Sequence, residues 1–269
     1  MQPVVQHTRL ITGLLVIIFF ARIIGSSLPS IAPSHPQINQ RHSREIEAEV
    51  AHWSARLKSS DLEERREAAM MLSRLDGDAA VSALVSALTD ASPGVRALAV
   101  AGLGERSDKS LVPLVAARLT SDKDAFVRKT AAYALGSFSG TERTSALIAA
   151  LKDKDQEVRG AAAVSLGDHA DAAAVAPLAA ALSDRSDFVR ARAAQGLGVN
   201  GRAATQAVSG LVRLLTSDKD GEVKRQAATA LGLVGDRSAL PELERASRDS
   251  DSYLAQAARD SIRMIEGTK

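Results

Sequence analysis

Apolar residues return at helical spacing all along this chain. In residues 122–151, DKDAFVRKTAAYALGSFSGTERTSALIAAL, Val127, Ala131 and Leu135 stand at i, i+4 and i+8 and predict a helix over 125–137. After a short loop a second apolar pattern begins, seen as Val81/Leu84/Leu88, Val175/Leu178/Leu182 and Val208/Leu211/Leu215 in different parts of the chain. Each stretch therefore reads as a helical hairpin with too little apolar face to fold alone.

The hairpin is written seven times. The pair Val127-Arg128 recurs as Val95-Arg96, Val158-Arg159, Val189-Arg190 and Val223-Lys224, with degenerate copies at Glu64-Arg65 and Leu254-Ala255. Counted on the second residue of each pair (65, 96, 128, 159, 190, 224, 255), the steps are 31, 32, 31, 31, 34 and 31 residues. Ala stands three residues after this anchor in every copy, and Leu or Ile seven after. Asp stands six before it in six copies: Asp90, Asp122, Asp153, Asp184, Asp218 and Asp249. A fixed period of this size marks a solenoid, whose units bury their apolar faces only against their neighbours. The expected fold is an all-α solenoid of stacked antiparallel helix pairs over residues 43–266, with about fourteen helices.

Flanking segments read differently. Residues 1–24 hold the apolar run LITGLLVIIFFARII, too short for a comfortable membrane span and suited to a signal peptide. With Arg22 snorkelling, residues 10–28 could instead form an uncleaved anchor. The expected localisation is therefore exported or membrane-anchored, with a cytoplasmic chain as the alternative. Residues 25–42 carry Pro29, Pro33 and Pro36 among serines and read as a linker. Residues 43–58 are expected to form an amphipathic helix capped by Ser43, with Ile46, Val50, Trp53 and Leu57 on one stripe, the second half of a truncated first repeat. The last helix is expected over 251–266, with 267–269 as a tail. Gly104, Gly136, Gly167, Gly198 and Gly232 follow the conserved-register Leu, where a helix end favours positive φ. Pro177 and Pro241 are expected in first helical turns. The longer fifth step comes from Val199-Asn200-Gly201, a wider hairpin loop.

Composition narrows the function. There is no Cys, which removes disulfides and thiol chemistry, and aromatics make up 3% of the chain. Arg9 and Arg22 are two of 34 Lys and Arg; the remaining 32 balance 32 Asp and Glu, so the chain from residue 23 on is neutral. That balance argues against nucleic-acid binding, which draws on a net basic footprint.

The motif D-x-D-x-x-V-R-x-x-A-A-x-x-L-G, followed by a loop and a second helix ending A-L-x-D, resembles the HEAT repeat. More narrowly it is similar to the short HEAT-like repeats named after phycocyanobilin lyase subunits. The resemblance covers residues 44–266 and implies an armadillo-type α-solenoid wound as a right-handed superhelix. It also implies bonds between the repeated Asp and Arg of neighbouring units, here Asp124, Asp155 and Asp220 with Arg96, Arg128, Arg159 and Arg190. Ser92 and Ser186 replace the second Asp in two copies and interrupt that pattern.

Two enzymes share the repeat. Deoxyhypusine hydroxylase uses His-Glu pairs to hold two irons, but none of His7, His35, His42, His52 and His169 is followed by Glu. Bilin lyase subunits handle a pigment or its acceptor, and no thiol or distinctive element matches that work here. Phosphate-binding and nucleophile-elbow motifs are absent from the sequence as well. No catalytic residue, cofactor or metal is expected. The expected function is a monomeric scaffold that binds a partner protein or peptide on its concave face. An accessory factor resembling bilin lyase subunits is the alternative, and a nucleic-acid-binding solenoid is third. The concave face is assigned to the second helices, through Ser86, Ala117, Ala149, Ala180, Arg213 and Arg245, a shallow groove with a basic end. Phe126 and Phe188, just before their Val anchors, are expected to pack between repeats.

Overall fold

The structure is a computed structural model that describes residues 36–106 and 108–267, with side chains described from Ser43 onward. The chain divides into two units, Met1–Ser43 and Arg44–Lys269. The apolar segment 10–28, the linker up to residue 35 and tail residues 268–269 lie outside the described residues. Among the described residues, no helix is long and apolar enough to cross a membrane.

The described residues form fourteen α-helices and no strand: α1 (Pro36–Arg56), α2 (Leu62–Arg74), α3 (Asp78–Ala87), α4 (Pro93–Gly104), α5 (Val112–Ser121), α6 (Ala125–Gly136), α7 (Thr141–Ala150), α8 (Gln156–Gly167), α9 (Ala172–Ala181), α10 (Asp187–Val199), α11 (Val208–Ser217), α12 (Gly221–Val234), α13 (Leu240–Ala246) and α14 (Ser252–Gly267). Of the first unit, only the start of α1 is described. That helix begins at Pro36, so residues 36–42 of the expected linker are helical and Ser43 is not its N-cap. Proline is well placed at a first helical position, where its missing amide costs nothing.

Within the second unit the helices fall into two layers. The even-numbered helices α2 to α14 carry the Val-Arg anchors; the odd-numbered α3 to α13 carry the second apolar pattern. Between the layers runs one continuous core. It holds Val95, Val127, Val158 and Val223 from the first layer and Leu84, Leu147, Leu178, Leu211 and Leu243 from the second. Each such side chain contributes about 1.5–3 kcal/mol relative to exposure, and because it is buried against a neighbouring repeat, the stack folds as a whole.

The two layers are not equally spaced. Successive Val-Arg helices pack along most of their length, whereas successive outer helices touch only in part. The cause is a row of small residues. A Cβ placed on Gly104 would stand 2.6 Å from Ala134 Cβ, one on Gly167 2.6 Å from Gly196 Cα, and one on Gly232 2.7 Å from Ser261 Cα. The glycines expected to end helices with positive φ therefore do something else. They keep helical angles and let backbones touch, while positive φ occurs at Gly77, Gly140, Gly201 and Gly235 in the turns. Crowding one layer and splaying the other bends this unit toward the Val-Arg helices, which form its inner layer.

Asp caps begin many helices. Asp61, Asp124, Asp155 and Asp220 accept amide hydrogens in the first turns of α2, α6, α8 and α12. Pro241 sits in the first turn of α13 as expected, but Pro177 lies inside α9, which carries on past it.

Candidate partner-binding face

Repeats are locked to one another by a continuous arginine–aspartate ladder. Arg96 donates Nη2 to Asp122 Oδ1 (2.7 Å) and Nε to Asp122 Oδ2 (2.8 Å). The same fork joins Arg128 to Asp153, Arg159 to Asp184 and Arg190 to Asp218, and Arg65 reaches Asp90. Each arginine also turns Nη1 back to the main chain: Arg96 to Asp90 O, Arg128 to Asp122 O, Arg159 to Asp153 O and Arg190 to Asp184 O. One aspartate thus accepts the preceding repeat's guanidinium on its side chain and the next on its carbonyl. Planar, two-pronged recognition of this kind is the strong form of the ion pair.

The aspartate half of the expected ladder is corrected here. Asp124, Asp155 and Asp220 do not face the arginines; they cap the following helices. The partners stand two residues earlier, at the inter-repeat turn, because only that position ends an outer helix beside the preceding anchor. Ser92 and Ser186 consequently leave the ladder intact, since they replace caps rather than partners. The irregular step falls at Lys224, after which Arg225 takes over and pairs with Asp251 at 2.7 Å.

Charge in the ladder is set by these contacts. Burial works against the carboxylates of Asp122, Asp153 and Asp184, but the guanidinium bonds and a backbone amide outweigh it and hold all three below the usual range. For Asp218 the bond from Arg190 is the leading cause of the same shift. Arg143, which the sequence did not single out, is fully buried and donates to the carbonyls of Leu135 and Ser165 at the ends of α6 and α8; burial lowers its pKa. Neither residue type nor spacing marks it, because it stands outside the repeated motif.

The six positions expected to line the groove, Ser86, Ala117, Ala149, Ala180, Arg213 and Arg245, are all exposed. They stand on α3, α5, α7, α9, α11 and α13, the splayed layer, so the groove they were assigned to is the outer surface of this unit. Arg213 bonds Ser183 and Arg245 pairs with Glu242, so the expected basic end is partly spent on neighbours.

Aromatic and aliphatic groups mark the opposite face. Phe126 and Tyr133 project from α6, each nearly half exposed, so Phe126 does not pack between repeats. Phe188 does: its ring fills the space above Gly160 on α8, where a Cβ would collide with it. Arg192 lies over the Phe188 ring at 5.2 Å, and Lys129 lies 5.9 Å from the Phe126 ring and 3.9 Å from Glu157. Between α6 and α10, α8 carries Gly160 and Ala161, both buried, and the partly exposed Val164.

The likeness to known proteins follows the fold. A family model for HEAT repeats matches residues 50–136, 83–167, 112–198 and 175–263. No curated protein matches the chain. Among solved structures, YibA of Escherichia coli is 20% identical over 99% of this chain and 98% of its own, with a TM-score of 0.63. A chain of the CpcE–CpcF complex of phycocyanin lyase from Nostoc sp. PCC7120 is 21% identical, covering 91% of this chain and 98% of its own, with a TM-score of 0.50. An engineered protein is 24% identical over 81% of this chain and 68% of its own, with a TM-score of 0.52. At such identities the structures share the fold alone. The overlapping family matches run from the end of α1 to the last helix, and the chain belongs to the HEAT-repeat family.

Proposed function

We propose that this chain is a non-catalytic scaffold that docks a partner protein or peptide on its inner, concave face. One observation carries the reading. Among the described residues, the large apolar side chains left exposed are Leu62, Phe126, Tyr133, Val199, Leu233, Tyr253 and Met264, and all stand on Val-Arg helices. Exposed apolar surface gathered on one face marks an interaction site more often than chance scatter. The outer-helix positions Ser86, Ala117, Ala149, Ala180, Arg213 and Arg245 offer Ser, Ala and Arg instead. The buried charges of the inner layer support the non-catalytic reading, since the ladder uses them between repeats. Export or anchoring through residues 10–28 places the scaffold outside the cytoplasm; fractionation with N-terminal sequencing tests that point.

Photo-crosslinking tests the docking face. A benzoylphenylalanine placed at Tyr133 should give a discrete crosslinked species in native cells, and one at Ala149 on α7 should give none. Crosslinks from Ala149 alone would return the site to the outer helices.

A further inference from the structure

We infer that the inner face of the last three repeats takes an acidic, apolar-anchored linear segment of the partner, a reading that rests on the scaffold function above and adds its chemistry. Nine residues after each anchor the chain places Arg74, Glu105, Ser137 and Asp168 in the first four copies, all polar. In the last three the same register holds Val199, Leu233 and Met264, each 40–50% exposed. A Cβ on Gly198 would stand 3.0 Å from Leu233 Cδ1, so the Leu233 side chain reaches back to the helix that carries Val199. At helix separations of about 8–10 Å, three helices give a stripe of roughly 20 Å, the length of about six extended residues.

Beside the stripe lies a hollow lined by Arg202, Thr205, Val234, Gly235, Asp236, Arg237 and Ile265. It exists because the extra residues of the fifth step carry Arg202 on the 3-10 turn Gly201–Ala207, opposite Arg237 on the turn Arg237–Ala239. Arg202 and Arg237 are both exposed, and among the described residues neither pairs with an acid. The one carboxylate in the hollow, Asp236, is engaged by the amide of Ser238 at 2.9 Å. Two uncommitted guanidiniums next to an apolar stripe fit a segment that alternates apolar anchors with carboxylates. An anionic lipid surface would offer the same pairing of groups, but the stripe lies on the concave side of the stack, where a flat bilayer does not reach.

The test titrates the full chain against a fluorescein-labelled peptide of about eight residues alternating Leu and Glu, with Leu/Lys and Ser/Glu peptides as controls. The Leu/Glu peptide should bind and both controls should bind at least about tenfold more weakly. Val199→Asp with Leu233→Asp, and separately Arg202→Glu with Arg237→Glu, should each weaken it by about tenfold or more while the helical circular-dichroism signal is kept. Leu233→Ser serves as a milder variant should the double aspartate disturb the fold. Unchanged affinity in either double variant, or equal binding of a control peptide, overturns the inference. Capture of the chain by phosphatidylglycerol vesicles, lost in the same variants, would overturn it in favour of a membrane. Crosslinking at Tyr133 together with no Leu/Glu binding sinks this inference and leaves the scaffold reading standing; loss of the Tyr133 crosslink sinks that reading instead.

Discussion

Arg96 and Asp122 face each other across a repeat boundary in a two-pronged bond, with side chains only 5% and 2% exposed. They are 26 residues apart in sequence, yet their contact repeats down the stack at nearly every boundary. Asp122 also orders its own turn, accepting the amide of Asp124 at 3.0 Å. A single carboxylate therefore joins two repeats and shapes the start of the next helix.

Removing that carboxylate should be costly. Asp122→Ala leaves Arg96 buried without its partner, a loss of about 3–5 kcal/mol. Asp124→Ala removes only a cap on α6, a loss of about 1 kcal/mol. Urea denaturation of the two variants distinguishes them; equal losses would mean that the ladder runs through the second aspartate after all.

Acid should weaken the stack. The ladder carboxylates Asp122, Asp153, Asp184 and Asp218 have folded pKa values below their ordinary range. Their contribution is fully present above the unfolded value of about 3.9 and is lost as pH falls below it toward the folded values. The melting temperature, followed from pH 6 downward, should hold steady on this account until about pH 4 and then drop. Asp122→Asn should shallow that drop; an unaltered acid limb would remove the ladder as its cause.

Lys224 stands where the other full copies place arginine, in register with Asp218 O and the Asp249 side chain. Lysine carries a point charge that cannot fork to a carboxylate. Lys224→Arg should extend the regular ladder and raise stability by about 1 kcal/mol, read as a shift in the denaturation midpoint. A decrease would show that Arg225 and Asp251 already fill the available space.

Glycine at the inner-layer contacts should resist substitution. Gly167→Ala drives a methyl group into Gly196 Cα and should cost about 1–3 kcal/mol. Gly94→Ala meets nothing nearer than 3.6 Å and should change stability by no more than about 0.5 kcal/mol. Matching effects at the two sites would contradict the close approach of α8 and α10.

Periodicity alone determined most of the architecture. The spacing of Val127, Ala131 and Leu135 predicts a helix over 125–137, and α6 spans Ala125–Gly136. That agreement has a simple origin: each repeat must bury the same stripe against the next, so the requirement is printed at every copy. The arginine side of the ladder was legible for the same reason. Its aspartate side was not, because two aspartates per turn repeat with the same period, and sequence spacing cannot tell a cap from a partner across the boundary.

Tertiary structure alone decided which layer is inner. Both helices of a hairpin are amphipathic, and periodicity does not say which set crowds together. The glycines after the conserved-register Leu look like helix ends in sequence; packed, they are the contacts that draw the Val-Arg layer close. With that bend reversed from expectation, Ser86, Ala117, Ala149, Ala180, Arg213 and Arg245 move to the outer surface, and Phe126, Tyr133, Val199 and Leu233, scattered in the chain, come to share one face.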